Sequence, residues 1–150
     1  MKTKNSCIII SLFAWAVNHL DAQKTNAYVS EVWVSDLGNG MYKNPVFYSD
    51  YSDPDAIRVE DDYYMTASSF NEVPGLPILH SKDMVNWKLV NHAIYDLIPK
   101  ETYSIPQRGN GVWAPSIRFH KGEYFIYWGD PDFGIYMVKT KDPLGDWEKP

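Results

Sequence analysis

Three carboxylates crowd into six positions at Asp50, Asp53 and Asp55, in the stretch DYSDPD. A positioned carboxylate can take a proton from water while a second, protonated carboxyl gives one to a leaving group. Asp before Pro is also a common turn starter, and spacing alone favours that plainer reading for all three residues. Asp130 and Asp132, in Gly129-Asp130-Pro131-Asp132, repeat the pattern. Turn capping is the default for both, with Asp130 the better placed to reach a ligand. Trp113 stands just before Ala114-Pro115, the counterpart of Asp53-Pro54. Phe70 ends the run Ser68-Ser69-Phe70. Either ring offers a flat face on which a sugar's apolar C–H surface can stack, and either would serve equally in packing. His80, His92 and His120 share no metal-ligand spacing, so neither metal nor cofactor is expected.

The elements that must hold these residues come as a repeat. Ile57-Arg58-Val59, Asp61-Asp62-Tyr63-Tyr64-Met65, Ile78-Leu79-His80-Ser81-Lys82-Asp83 and Trp87 form one copy. Ile117-Arg118-Phe119, Gly122-Glu123-Tyr124-Phe125-Ile126, Ile135 to Asp142 and Trp147 form the other. Ile57 and Ile117 lie 60 residues apart, a period that suits propellers and arrays once loops are allowed for. Each copy reads as a four-stranded meander. AIRVE and YYMTAS flank a turn at Glu60 to Asp62, LPILHS follows a Pro/Gly loop, and WKLV closes the unit. The second copy supplies PSIRFH, EYFIYWG, IYMVKT and the start of a strand at Trp147. No stretch of helical length carries a 3.6-residue apolar stripe. The expected fold is all-β, built from propeller blades. Two blades cannot close a propeller and would leave open edges, so the chain is expected to be the N-terminal part of a longer protein.

Composition narrows the partners. A net charge of −5 leaves no basic stripe for a phosphate backbone, and nucleic acid is excluded as the main partner. Lys2 and Lys4 precede the apolar run Cys7 to Val17, which is too short to span a bilayer comfortably. With small Ala22 following, residues 1–22 read as a signal peptide cut after Ala22, and residues 23–43 as an N-terminal extension. Cleavage would remove Cys7, the single cysteine. A secreted or periplasmic protein without disulfides is expected, not a membrane-bound one.

The run Asn44-Pro45-Val46, Asp53-Pro54-Asp55, Asp61 to Met65, Pro74 to Ile78, His80 to Asp83 and Asn86-Trp87 resembles the family 43 glycoside hydrolases, in their β-xylosidase and α-L-arabinofuranosidase branch. Gly111 to Ser116 and Tyr124 to Trp128 are similar to that branch's second blade, so the resemblance covers residues 44–150. It implies a five-bladed propeller, of which about the first two blades are present. It also implies inverting hydrolysis of β-xylosides or α-L-arabinofuranosides in pentose-containing glycans. Such chemistry needs a base and an acid about 6.5–9.5 Å apart, a span that strands of separate blades supply readily. On the resemblance, Asp53 matches the general base and Phe70 the aromatic wall of the sugar pocket; Trp113 and Asp130 are expected to contact substrate from their positions in the second unit. Asp50 and Asp55 are left as turn residues or supports of the site. The general acid Glu and an Asp that tunes it are expected beyond Pro150, so the chain alone is expected to be inactive. A non-catalytic carbohydrate-binding propeller is the alternative, and a propeller serving only as an interaction scaffold a third reading.

Overall fold

The computed structural model describes residues 33–150. The proposed signal peptide and the start of the extension lie outside the described residues. Two antiparallel sheets make up nearly all of the regular structure. The first contains β1 (Asp55–Val59), β2 (Asp62–Thr66), β3 (Gly75–Ser81) and β4 (Lys88–Ile94), paired in chain order. After a one-turn helix, α1 (Lys100–Tyr103), the second contains β5 (Trp113–His120), β6 (Glu123–Asp130) and β7 (Gly134–Thr140), also in chain order. The all-β expectation holds, and both sheets are blade-like meanders.

Local chemistry places the turns. Lys121 and Gly122 take φ of 50° and 81°, which matches a two-residue hairpin turn whose twist suits the flanking strands. The first hairpin turns at Glu60 and Asp61, with Asp62 already in β2 and Glu60 at φ 54°. The outer turn of each blade is held by a hydroxyl and a carboxylate at equivalent places. In blade 1, Ser81 Oγ accepts the amides of Asp83 and Met84, Asp83 Oδ1 accepts those of Val85 and Asn86, and Trp87 Nε1 donates to Met84 O. In blade 2, Thr140 Oγ1 accepts the Asp142 amide, Asp142 Oδ1 accepts that of Leu144, and Trp147 Nε1 donates to Pro143 O. These contacts explain why Ser/Thr-Lys-Asp and a following Trp recur in the sequence.

Two details differ from the sequence reading. Blade 2 has three strands; its fourth is represented by a single rung, from the Glu148 amide to Lys139 O at 2.9 Å. The repeat is also out of step with itself. Measured between the hairpin turns, from Glu60 to Lys121, the offset is 61 residues, whereas the Ile-Arg pairs lie 60 apart. Strand side chains alternate faces, so Ile57 and Ile117 fall on opposite faces of their sheets. The sequence tolerates this because a blade is apolar on both faces.

The core lies between the blades. Tyr64, Leu76, Ile78, Ala93 and Ile94 of blade 1 pack with Ile117, Tyr124, Ile126, Trp128 and Val138 of blade 2. Each fully buried aliphatic side chain contributes about 1.5–3 kcal/mol. Tyr64 and Tyr124 meet edge to face with ring centres 5.3 Å apart. Burial pushes both phenols above their ordinary range. Asp55 adds a polar clamp, its Oδ2 accepting the Ile117 amide at 2.9 Å and Arg118 Nη1 at 2.6 Å. The opposite face of blade 1 is also covered: Met65, Ala67 and Leu79 are buried there, and Val46, Phe47, Tyr51 and Pro54 line a cleft with Met65. The face of blade 2 turned away from blade 1 carries Tyr127, Ile135 and Met137, all exposed, with Ile135 at 82%.

Candidate active site

The rim of the two blades is where the strands' entrances meet. The β1–β2 pairing runs on past Asp55 and Thr66, with the Ser68 amide donating to Ser52 O at 2.9 Å. Asp53 sits in this extension at φ 47°, immediately before Pro54. Its counterpart Ala114 has φ 39° immediately before Pro115. A left-handed residue costs roughly 1–2 kcal/mol unless its surroundings hold it, and Asp tolerates the region better than Ala. Two elements do the holding here. Phe70 and Val112 exchange a pair of backbone hydrogen bonds at 3.0 and 2.9 Å, joining the end of blade 1's second strand to the entrance of blade 2. Gly111 makes that crossing possible, since at φ 105° a Cβ there would stand 2.3 Å from Phe70 O.

The crossing brings Asp53, Phe70 and Trp113 to one rim. The Asp53 carboxylate is exposed, and its Oδ2 accepts Ser68 Oγ at 2.9 Å and Ser52 Oγ at 3.3 Å. Ser68 Oγ in turn accepts the Ala114 amide at 2.8 Å. Trp113 is 43% exposed, and its Nε1 donates to Gly109 O at 2.5 Å, so the indole is fixed by its edge while part of its surface stays open. Phe70, at φ 49°, is half-buried.

Asp130 reaches the same end of blade 2, one residue beyond Gly129, the register partner of Trp113. It is buried, and both its oxygens are engaged: Oδ1 accepts the amides of Asp132 and Phe133, and Oδ2 accepts Tyr103 OH. Burial, then the bond to Asp130, pushes the Tyr103 phenol well above its usual range. Asp132 is exposed and accepts Asn110 Nδ2 at 2.6 Å, tying the loop before Trp113 to the β6–β7 turn. Asp55 turns away from this rim into the clamp between blades. Asp50 and Glu72 line a cleft of about 140 Å³ with Ser68, Ser69 and His92, whose imidazole burial pushes down. Among the described residues no three His, Asp or Glu side chains gather closely enough to hold a metal ion. Sequence reasoning overlooked Ser68, and the signal available was only that a serine pair precedes Phe70.

Chemically, the rim offers a solvent-reaching carboxylate steadied by two hydroxyls, beside an indole fixed at its edge. Relatives share this stretch. A non-reducing end alpha-L-arabinofuranosidase of Bacteroides ovatus is 33% identical over 98% of this chain and 26% of its own length. A beta-xylosidase of Formosa agariphila is 39% identical over 77% of this chain and 20% of its own. Among solved structures, a bifunctional GH43-CE protein of Bacteroides eggerthii matches with a TM-score of 0.64 and 38% identity, over 70% of this chain and 14% of that one. The GH43 protein BlXynB of Bacillus licheniformis matches with a TM-score of 0.64 and 34% identity, over 73% and 24%. The chain thus spans about a quarter or less of the length of these relatives. Residues 42–150 match the family model of the glycosyl hydrolases family 43, and the chain belongs to that family.

Proposed function

We propose that this chain forms the first blades of an exported glycoside hydrolase that cleaves β-xylosidic or α-L-arabinofuranosidic bonds with inversion, with Asp53 as its general base. The observation that carries the reading is the exposed Asp53 carboxylate, bound through Oδ2 by Ser52 and Ser68 on the rim that also holds Trp113 and Phe70. No described residue donates to Oδ1, which leaves that oxygen to take the proton of a water attacking the anomeric carbon. As water's oxygen bonds to carbon, the glycosidic C–O bond breaks, and the leaving oxygen takes a proton from an acid in a later blade. Trp113 and Phe70 wall the pentose. Asp130, buried with both oxygens engaged, supports the site through the turn it caps, whose Asp132 ties down the loop before Trp113. The exposed apolar face of blade 2 supports the view that further blades follow, because an antiparallel sheet facing water would carry polar residues there.

The test is to express the reading frame continued past Pro150 and to assay aryl β-xylosides and α-L-arabinofuranosides. Turnover that Asp53→Ala abolishes supports the reading; near-normal turnover in that variant overturns the base assignment. Sugar binding by calorimetry without turnover in the parent protein would instead favour a carbohydrate-binding propeller.

A further inference from the structure

We infer that Ser68 is a positioning residue that orients the Asp53 carboxylate and ties its placement to the entrance of blade 2. The inference rests on Asp53 being the base and adds a residue to that reading. Three bonds carry it. The Ala114 amide donates to Ser68 Oγ at 2.8 Å, so one lone pair of the hydroxyl is taken by blade 2. The hydroxyl then donates to Asp53 Oδ2 at 2.9 Å, across 15 residues of chain. The Ser68 amide is held by Ser52 O at 2.9 Å, which fixes its backbone beside the strand that carries Asp53. A hydroxyl that accepts from one side and donates to the other has little freedom to rotate. It therefore fixes which carboxylate oxygen faces the protein and which faces the sugar. Because the first bond comes from Ala114, a shift of blade 2 relative to blade 1 moves the base with it.

The experiment compares Ser68→Ala, Ser68→Thr and Asp53→Asn in the full-length protein on an aryl pentoside. Ser68→Ala is expected to lower kcat about tenfold, the worth of one hydrogen bond to a charged group, with KM nearly unchanged. Ser68→Thr, which keeps the hydroxyl, restores most of the rate. Equal losses in both variants, or a rise in KM without a fall in kcat, would each overturn the inference. Should Ser68→Ala fail to fold, Ser68→Cys keeps the shape with a weaker donor, and an intermediate rate is the outcome expected of it. Retained turnover in Asp53→Asn would refute the base assignment itself. A dead Asp53→Asn beside a normal Ser68→Ala would refute the positioning role alone.

Discussion

At the rim, blades 1 and 2 present nearly the same backbone and different side chains. Asp53 and Ala114 each precede a proline, each has a small positive φ, and they lie 61 residues apart, the same offset as the hairpin turns. Blade 1 puts a carboxylate there and blade 2 a methyl group. Blade 2 instead uses the position's backbone amide, which reaches back to Ser68 and through it to the carboxylate. A repeated strand entrance thus supplies a place, and the side chain decides whether that place presents a carboxylate to solvent or only a support for its neighbour's.

The largest effect that could break this comparison is kinetic. Asp53→Ala is expected to reduce kcat about 10²–10⁴-fold, and adding Ala114→Asp should not restore it, because that carboxylate would stand at the entrance of the other blade. Rescue by the double variant would mean that the two entrances are interchangeable. Next comes the crossing that joins the entrances. Gly111→Ala puts a Cβ against Phe70 O at a φ that L-residues avoid, and should cost about 3 kcal/mol or more of stability. Gly122→Ala shares the positive φ but meets nothing within 4 Å, so chemical denaturation should find a loss of only about 1 kcal/mol. Similar losses at the two glycines would show that backbone strain, not the close approach to Phe70, dominates.

The clamp between the blades ranks below Gly111. Asp55→Ala leaves the Ile117 amide without its acceptor, breaks the ion pair with Arg118 and should lower stability by about 2 kcal/mol, with Asp55→Asn recovering part through the amide bond. The smallest effect concerns the outer turns. Hydrogen bonds from Asn86, Val85 and Ser81 hold the Asp83 carboxyl well below the usual carboxylate range. A carboxyl so depressed in the folded state stabilises the fold above its unfolded pKa of about 3.9, and that contribution fades as pH falls below it. Solvent screening limits the amount, so melting curves between pH 6 and 2 should steepen only slightly for the parent relative to Asp83→Ala.

The repeat was legible because each blade needs the same turn chemistry. Ser81-Lys82-Asp83 with Trp87, and Thr140-Lys141-Asp142 with Trp147, bond within their own turns, so local spacing carries the whole signal. The offset by one residue between Ile57 and Ile117 escaped the sequence because apolar residues occupy both faces of a blade and do not mark register. Asp53, Asp55 and Asp50 look alike in the sequence, yet they go to a rim, an inter-blade clamp and a cleft wall. Apart from neighbouring Ser52, the partners of Asp53 and Asp55 lie 15 to 63 residues away, and no local pattern names them.

The sequence by itself determined the all-β meanders, the turns that close them, and the family to which residues 42–150 belong. Those features follow from alternation, from turn residues and from motifs whose contacts are mostly short-range. Only the tertiary structure decided which carboxylate meets Ser68, that Gly111 must be glycine, and that Trp113 is pinned by its indole nitrogen. Each of these depends on two loops or strands arriving together, and the geometry of that meeting is set by the packed core between the blades.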